Sequence, residues 1–91
     1  MRTRLQVVFK GKVQGVFFRA NTKRFADRYG VVGWVRNMES GDVEALFEGE
    51  EGAVNAVIHD CQNSQSYARV EQIERTEKEP LDEFKDFRIR Y

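Results

Sequence analysis

The apolar residues of this chain keep one spacing, change to another at Phe18 and then change back, and this rhythm limits the possible folds more than any other feature. Over residues 3–12, Leu5, Val7 and Phe9 alternate with Gln6 and Lys10, the period of a strand with one buried face. From Phe18 the spacing widens. Phe18, Thr22, Phe25, Ala26 and Tyr29 share one face of a helix, and Gly30 stands where a left-handed residue would end it. Residues 31–38 read as a strand again. Glu39, Ser40, Gly41 and Asp42 form a tight turn into a third strand over 43–48, which makes a hairpin. A second helix is predicted to open at Gly49, Glu50 and Glu51, with acids suited to its N-terminal dipole and an apolar stripe of Val54, Val57, Ile58 and Cys61. Residues 63–67 are polar and read as a loop. In the fourth strand, over 68–77, Val70 and Ile73 are three apart instead of two, which predicts a bulge. Residues 78–83 hold the only proline and read as a loop, after which Phe87, Ile89 and Tyr91 alternate in a last strand.

The resulting order, β-α-β-β-α-β plus a C-terminal strand, defines an α+β class: a ferredoxin-like split βαββαβ sandwich. Its sheet is mostly antiparallel, both helices cover one face, and the extra strand lies at the C-terminus. The 91 residues suit one domain over 1–91 with one core. Fifteen basic residues balance fifteen acidic ones, so the basic excess of a duplex-binding module is missing and no nucleic-acid partner is expected. The N-terminus enters an alternating strand pattern instead of an apolar leader, and no apolar run approaches the ~20 residues that span a bilayer, so neither secretion nor a membrane partner is expected. One cysteine cannot make an internal disulfide, and the expectation is a cytoplasmic, monomeric protein. One His and one Cys make no zinc-type ligand set, so no metal is expected.

Topology then points to a site. In a split βαβ unit the first two strands run the same way with the third between them, so their C-terminal ends share one edge of the sheet. The loop from Gly11 to Arg19 leaves the first strand there, and Gly33-Trp34-Val35-Arg36-Asn37 occupies the end of the second. Arg19 and Asn37 are thus predicted to meet. Gly11 and Gly15 permit backbone conformations that let consecutive N–H groups curl around an anion, the helix adds free N–H groups and its positive dipole end, and Arg19 adds a planar charged fork. Val13, Val16 and Phe18 would pack beneath. The same residues also fit an ordinary strand–helix turn whose arginine is merely solvated.

Two long patterns in this region resemble the acylphosphatase family. One is Gly11-x-Val13-Gln14-Gly15-Val16-x-Phe18-Arg19; the other is Gly33-Trp34-Val35-Arg36-Asn37-x-x-x-Gly41-x-Val43, closing with Gly49. The resemblance implies the ferredoxin-like fold and hydrolysis of the carboxyl–phosphate bond of a small-molecule acylphosphate, with inorganic phosphate as product and no metal or organic cofactor. It assigns phosphate binding to Arg19 and to the N–H groups of the loop Gln14, Gly15, Val16, Phe17, Phe18 and Arg19, and positioning of the attacking water to Asn37. The sequence departs from the family at Phe9, at Phe17 (a position often held by glycine) and over residues 63–67, which lack the usual Gly-Pro-Pro. These departures bear on packing, pocket rim and substrate preference. No carboxylate or histidine belongs to the two patterns, so a phosphate oxygen of the substrate is inferred to take the water's proton.

The remaining chemically capable residues have plainer readings. His59 lies beside the stripe of the second helix and reads as a surface histidine. Cys61 on the stripe reads as an inert core thiol. Trp34 and Phe25 read as core, and Arg36, on the opposite face from Asn37, as a solvated charge. Phe17 is a candidate contact for an aryl or alkyl group of the substrate. The charge mixture from Glu71 to Asp86 reads as a solvent face. Two other functions compete. One is a non-catalytic anion-binding or regulatory module on the same scaffold, as found inside larger carbamoyl-transfer maturation proteins of the family; a chain ending at Tyr91, just after its last strand, is expected to be the free enzyme instead. The other is an RNA-binding module of the same element order, disfavoured because the first and third strands lack its aromatic pattern.

Overall fold

The computed structural model describes residues 1–65 and 67–91. Its elements follow the order β1 (Arg2–Lys12), α1 (Phe18–Tyr29), β2 (Val32–Asn37), β3 (Val43–Glu50), α2 (Glu51–Asn63), β4 (Arg69–Lys78) and β5 (Phe87–Arg90). The five strands form one sheet in the order β4-β1-β3-β2-β5. All neighbours are antiparallel except β2 and β5, which run parallel. β3 lies between β1 and β2, so the expected topology stands, and the C-terminal ends of β1 and β2 share an edge.

Alternation sorts the side chains onto two faces. Val7 and Phe9 of β1, Val43, Ala45 and Phe47 of β3, Val35 of β2 and Phe87 of β5 are buried in the core. Phe18, Thr22, Phe25 and Ala26 of α1 and Val54, Val57, Ile58 and Cys61 of α2 close it from the helical side. Phe9 meets Phe18 edge-on at 5.1 Å between ring centroids, and Phe47 stacks on Phe87 at 5.6 Å. Gly33 lets β2 approach β3 at one point, because a Cβ there would run into the Leu46 carbonyl oxygen. The bulge predicted in β4 is present. The register jumps from Lys10↔Gln72 to Gly11↔Val70, leaving Glu71 as the extra residue.

Four expectations need correction. α2 begins at Glu51, because Gly49 and Glu50 extend β3 as partners of Thr3 and Arg2. Tyr29 leaves the helical stripe: its ring is exposed and its hydroxyl donates to Asp60 at 3.1 Å. Trp34 is not in the core, since Gly33 and Val35 take the buried side of β2 and turn it to the helix-free face. There the Arg90 guanidinium covers its ring at 4.7 Å and that of Arg36 lies at 6.0 Å. Arg36 is likewise no free charge, as its Nη2 pairs with Glu44 at 2.6 Å. Of the loop expected over 63–67, Asn63 closes α2 and residue 66 lies outside the described residues.

The charge mixture of β4 does face solvent, and an edge strand dense in charge resists pairing with another sheet. The segment after it behaves differently. Glu48 of β3 is fully buried on the helix-free face, where it accepts hydrogen bonds from the backbone N–H of Asp82 at 2.7 Å and Leu81 at 3.4 Å. Arg4 donates to Glu48 at 3.4 Å and to Glu83 at 2.7 Å, and Arg2 pairs with Asp82 at 2.9 Å. These bonds tie the β4–β5 connection across the sheet and fix where β5 begins.

Candidate active site

β1 ends at Lys12, and the next five residues bring the chain around to the N-terminus of α1. Val13 is buried and Val16 packs against the core, holding the loop from below. Gly15 (φ 74°) and Phe17 (φ 62°) are both left-handed and flank Val16. Such alternation turns successive N–H groups towards one point. The first turn of α1 continues the row, since the opening N–H groups of a helix have no partner inside it. Among the described residues nothing accepts a hydrogen bond from the amides of residues 15–20, and the first bond of the helix is Asn21 N–H to the Phe17 carbonyl at 3.0 Å. Phe17 holds its conformation without glycine, with its ring 77% exposed.

A cavity of about 290 Å³ opens over this row of amides. Gly15, Phe17, Phe18 and Arg19 line it from the loop and α1, Asn37 from the end of β2, and Tyr91 from the chain end. Arg19 and Asn37, from separate segments, therefore stand on the walls of one pocket, as the topology predicted. Arg19 Nη1 donates to the Arg90 carbonyl at 3.1 Å, and its guanidinium lies over the Tyr91 ring at 4.8 Å. That uses one of the five guanidinium N–H donors and steadies the plane of the fork. The Asn37 carboxamide makes no hydrogen bond among the described residues and lies at the exposed end of its strand. Among the described residues, Arg19 is the only charged side chain on the cavity wall.

Gln14 and Val16, expected in the phosphate loop, do not line the cavity. The Gln14 amide nitrogen donates to the carbonyls of Met38 and Asp42, each at 2.8 Å. Both of its N–H groups thus clamp the loop to the β2–β3 turn directly beyond Asn37, a role the sequence left invisible because the acceptors are backbone atoms 24 and 28 residues away. The contact of Arg19 with Arg90 and Tyr91 was also missed. Its signal was weak: the β5 pattern places Ile89 and Tyr91 on the helical face, beside the start of α1.

His59 and Cys61 stay outside the site. The His59 side chain is 73% exposed, with Asp60 at 3.8 Å. The Cys61 thiol is buried 3.4 Å from Thr22 Oγ1, and loss of solvation pushes its pKa up to about 12, so it is inert at neutral pH. At the N-terminus, the Met1 ammonium hydrogen-bonds Glu50 at 2.9 Å and lowers its pKa, with Arg2 assisting.

The element order and sheet topology define a ferredoxin-like α+β sandwich, with Arg19 and Asn37 in one cavity at the edge where β1 and β2 end. The acylphosphatase family model matches residues 5–89. An acylphosphatase of Syntrophus aciditrophicus is 52% identical over 91 residues, covering all of this chain and 95% of the relative. One from Geobacter sulfurreducens is 46% identical with both chains fully covered. The crystal structure of acylphosphatase from Bacillus subtilis superposes with a TM-score of 0.92 at 34% identity, covering 100% of each chain. Full-length HypF, in its phosphate- and nucleotide-bound form, matches with a TM-score of 0.87 at 30% identity over all of this chain but 12% of its own. This chain belongs to the acylphosphatase family, a family of enzymes.

Proposed function

We propose that this protein hydrolyses the carboxyl–phosphate bond of small acylphosphates, releasing a carboxylate and inorganic phosphate, with Arg19 and the loop amides binding the phosphoryl group and Asn37 positioning the attacking water. The observation that carries this reading is the sharing of one cavity by Arg19, Asn37 and the row of free N–H groups. An acylphosphate is a mixed anhydride whose leaving group is a weakly basic carboxylate, so little general-acid help is required. The demand is charge stabilisation on the transferring phosphoryl group and a water in line with the departing oxygen. Arg19 and the amides answer the first demand. The Asn37 carbonyl oxygen answers the second by accepting one proton of the water in a hydrogen bond, while its N–H₂ donates to a phosphate oxygen. As water attacks phosphorus, the P–O bond to the carboxylate breaks, and the water's second proton passes to a phosphoryl oxygen. Among the described residues no Asp, Glu or His side chain lines the cavity, which supports that substrate-assisted transfer.

Benzoyl phosphate tests the reading. Steady hydrolysis, inhibited competitively by inorganic phosphate, is expected; tight phosphate binding without turnover would leave the alternative, a non-catalytic anion-binding or regulatory module. The match to a segment of HypF is the observation that favours that alternative. The same reading takes residues 1–91 as one domain acting as a cytoplasmic monomer on a small-molecule substrate. Sedimentation at 10.6 kDa checks the oligomeric state. No helix among the described residues is long and apolar enough to cross a membrane.

A further inference from the structure

The helix-free face of the sheet carries a second cavity, of about 310 Å³, between β2, β5 and the segment that leads into β5. Its volume is within the range of small-ligand pockets. Parallel pairing of β2 with β5 sets Trp34 beside Arg88 and Arg36 beside Arg90 on that face. Phe84 supplies a second aromatic wall, and its ring also lies 5.5 Å from the Arg4 guanidinium. The acids in and around this cavity already have partners. Arg36 is matched by Glu44 at 2.6 Å, Arg88 by Asp86 at 2.9 Å, and Glu83 by Arg4 at 2.7 Å. Lys85 and Arg90 remain, and among the described residues no carboxylate lies within 4.0 Å of either. Two cations without a carboxylate partner thus stand beside two aromatic rings, Trp34 and Phe84, on one cavity wall.

We propose that this cavity binds a planar aromatic molecule bearing a phosphate or carboxylate, of the nucleoside monophosphate type, with its ring against Trp34 and Phe84 and its anionic group on Arg90 and Lys85. Arg90 already covers the Trp34 ring at 4.7 Å, so its guanidinium can hold an oxyanion with its edge while keeping that aromatic contact. The site is separate from the candidate active site and needs no hydrolytic activity. It shares Arg90 with it, however: the carbonyl of Arg90 accepts from Arg19 on one face, while the side chain lines the second cavity on the other.

Trp34 is the only tryptophan of the chain, so its fluorescence reports on this cavity directly. The full chain is titrated with AMP, with adenosine (ring without charge) and ribose 5-phosphate (charge without ring) as comparisons. A saturable change with AMP is expected, at least about tenfold weaker with either comparison compound, equally weakened in Lys85→Gln and in Arg90→Gln, and unaltered in Arg19→Ala. Lys85 is an exposed loop residue, so its variant keeps the test valid should Arg90→Gln fold poorly. No saturable change with AMP would overturn the proposal. So would loss of binding in Arg19→Ala with full binding in Lys85→Gln, which would put the phosphate in the first cavity.

Discussion

Phe17 occupies a left-handed conformation that side chains resist, at a cost of about 1–2 kcal/mol. Its ring is too exposed for packing to offset that cost. Phe17→Gly is therefore expected to raise stability by roughly 0.5–1 kcal/mol in urea unfolding, after glycine's extra chain entropy is deducted. If Phe17 also contacts the acyl group, the variant raises KM for benzoyl phosphate more than for acetyl phosphate. Arg19 has the opposite character. Its fork is held by Arg90 and Tyr91 on the cavity wall, so Arg19→Lys keeps the charge but loses the planar geometry. The expected result is phosphate inhibition weakened by at least about tenfold, read from the inhibition constant. At this scale the sequence spoke clearly about residue type. It predicted that Arg19 and Asn37 meet, because topology alone brings the ends of two parallel strands together. It was silent on Gln14, whose partners are backbone carbonyls on a distant turn and carry no mark in the sequence.

Among the elements, α1 and α2 meet where Thr22 touches Cys61. The Cys61 thiol is raised to about 12 in the fold, against an ordinary value of 9.0. Below pH 9 both folded and unfolded chains keep the proton. Between pH 9 and 12 the unfolded chain releases it and the folded chain does not, so stability falls with rising pH by about 1.4 kcal/mol per unit. Comparing wild type with Cys61→Ala by urea unfolding across pH 8–11 isolates this slope from lysine and tyrosine titration, and the variant should lack it. The bulge in β4 was legible because Val70 and Ile73 broke the two-residue period. The start of α2 was not, because Gly49 and Glu50 answer to their partners on β1 more than to local propensity. Trp34 was misread for a related reason. Its type suggests core, but the face it occupies depends on Gly33 and Val35, and its cover is an arginine 56 residues away in sequence, Arg90.

Over the whole molecule, the helical face is closed by apolar packing and the other face by the charges gathered around Glu48. That carboxylate is fully buried, and its removal strips the almost buried Arg4 of one of its two carboxylate partners and the N–H groups of Leu81 and Asp82 of their acceptor. Glu48→Ala is expected to cost roughly 3–5 kcal/mol, measured by urea unfolding. The loss should also loosen the 79–86 connection that Glu48 holds, seen as faster amide exchange at Leu81 and Asp82, whose N–H groups it accepts. Because β5 begins at the end of that connection and its Arg90 carbonyl holds Arg19, the buried charge cluster supports the candidate active site from the far side of the sheet.

The account depends most on a carboxamide from β2 aligning water against a phosphoryl group held by an arginine from α1. Turnover of benzoyl phosphate by Asn37→Ala tests this directly. A kcat lowered by about 10²–10³ with KM little changed is the predicted result. A variant that keeps wild-type kcat would contradict it, because the water would then be oriented by some other group.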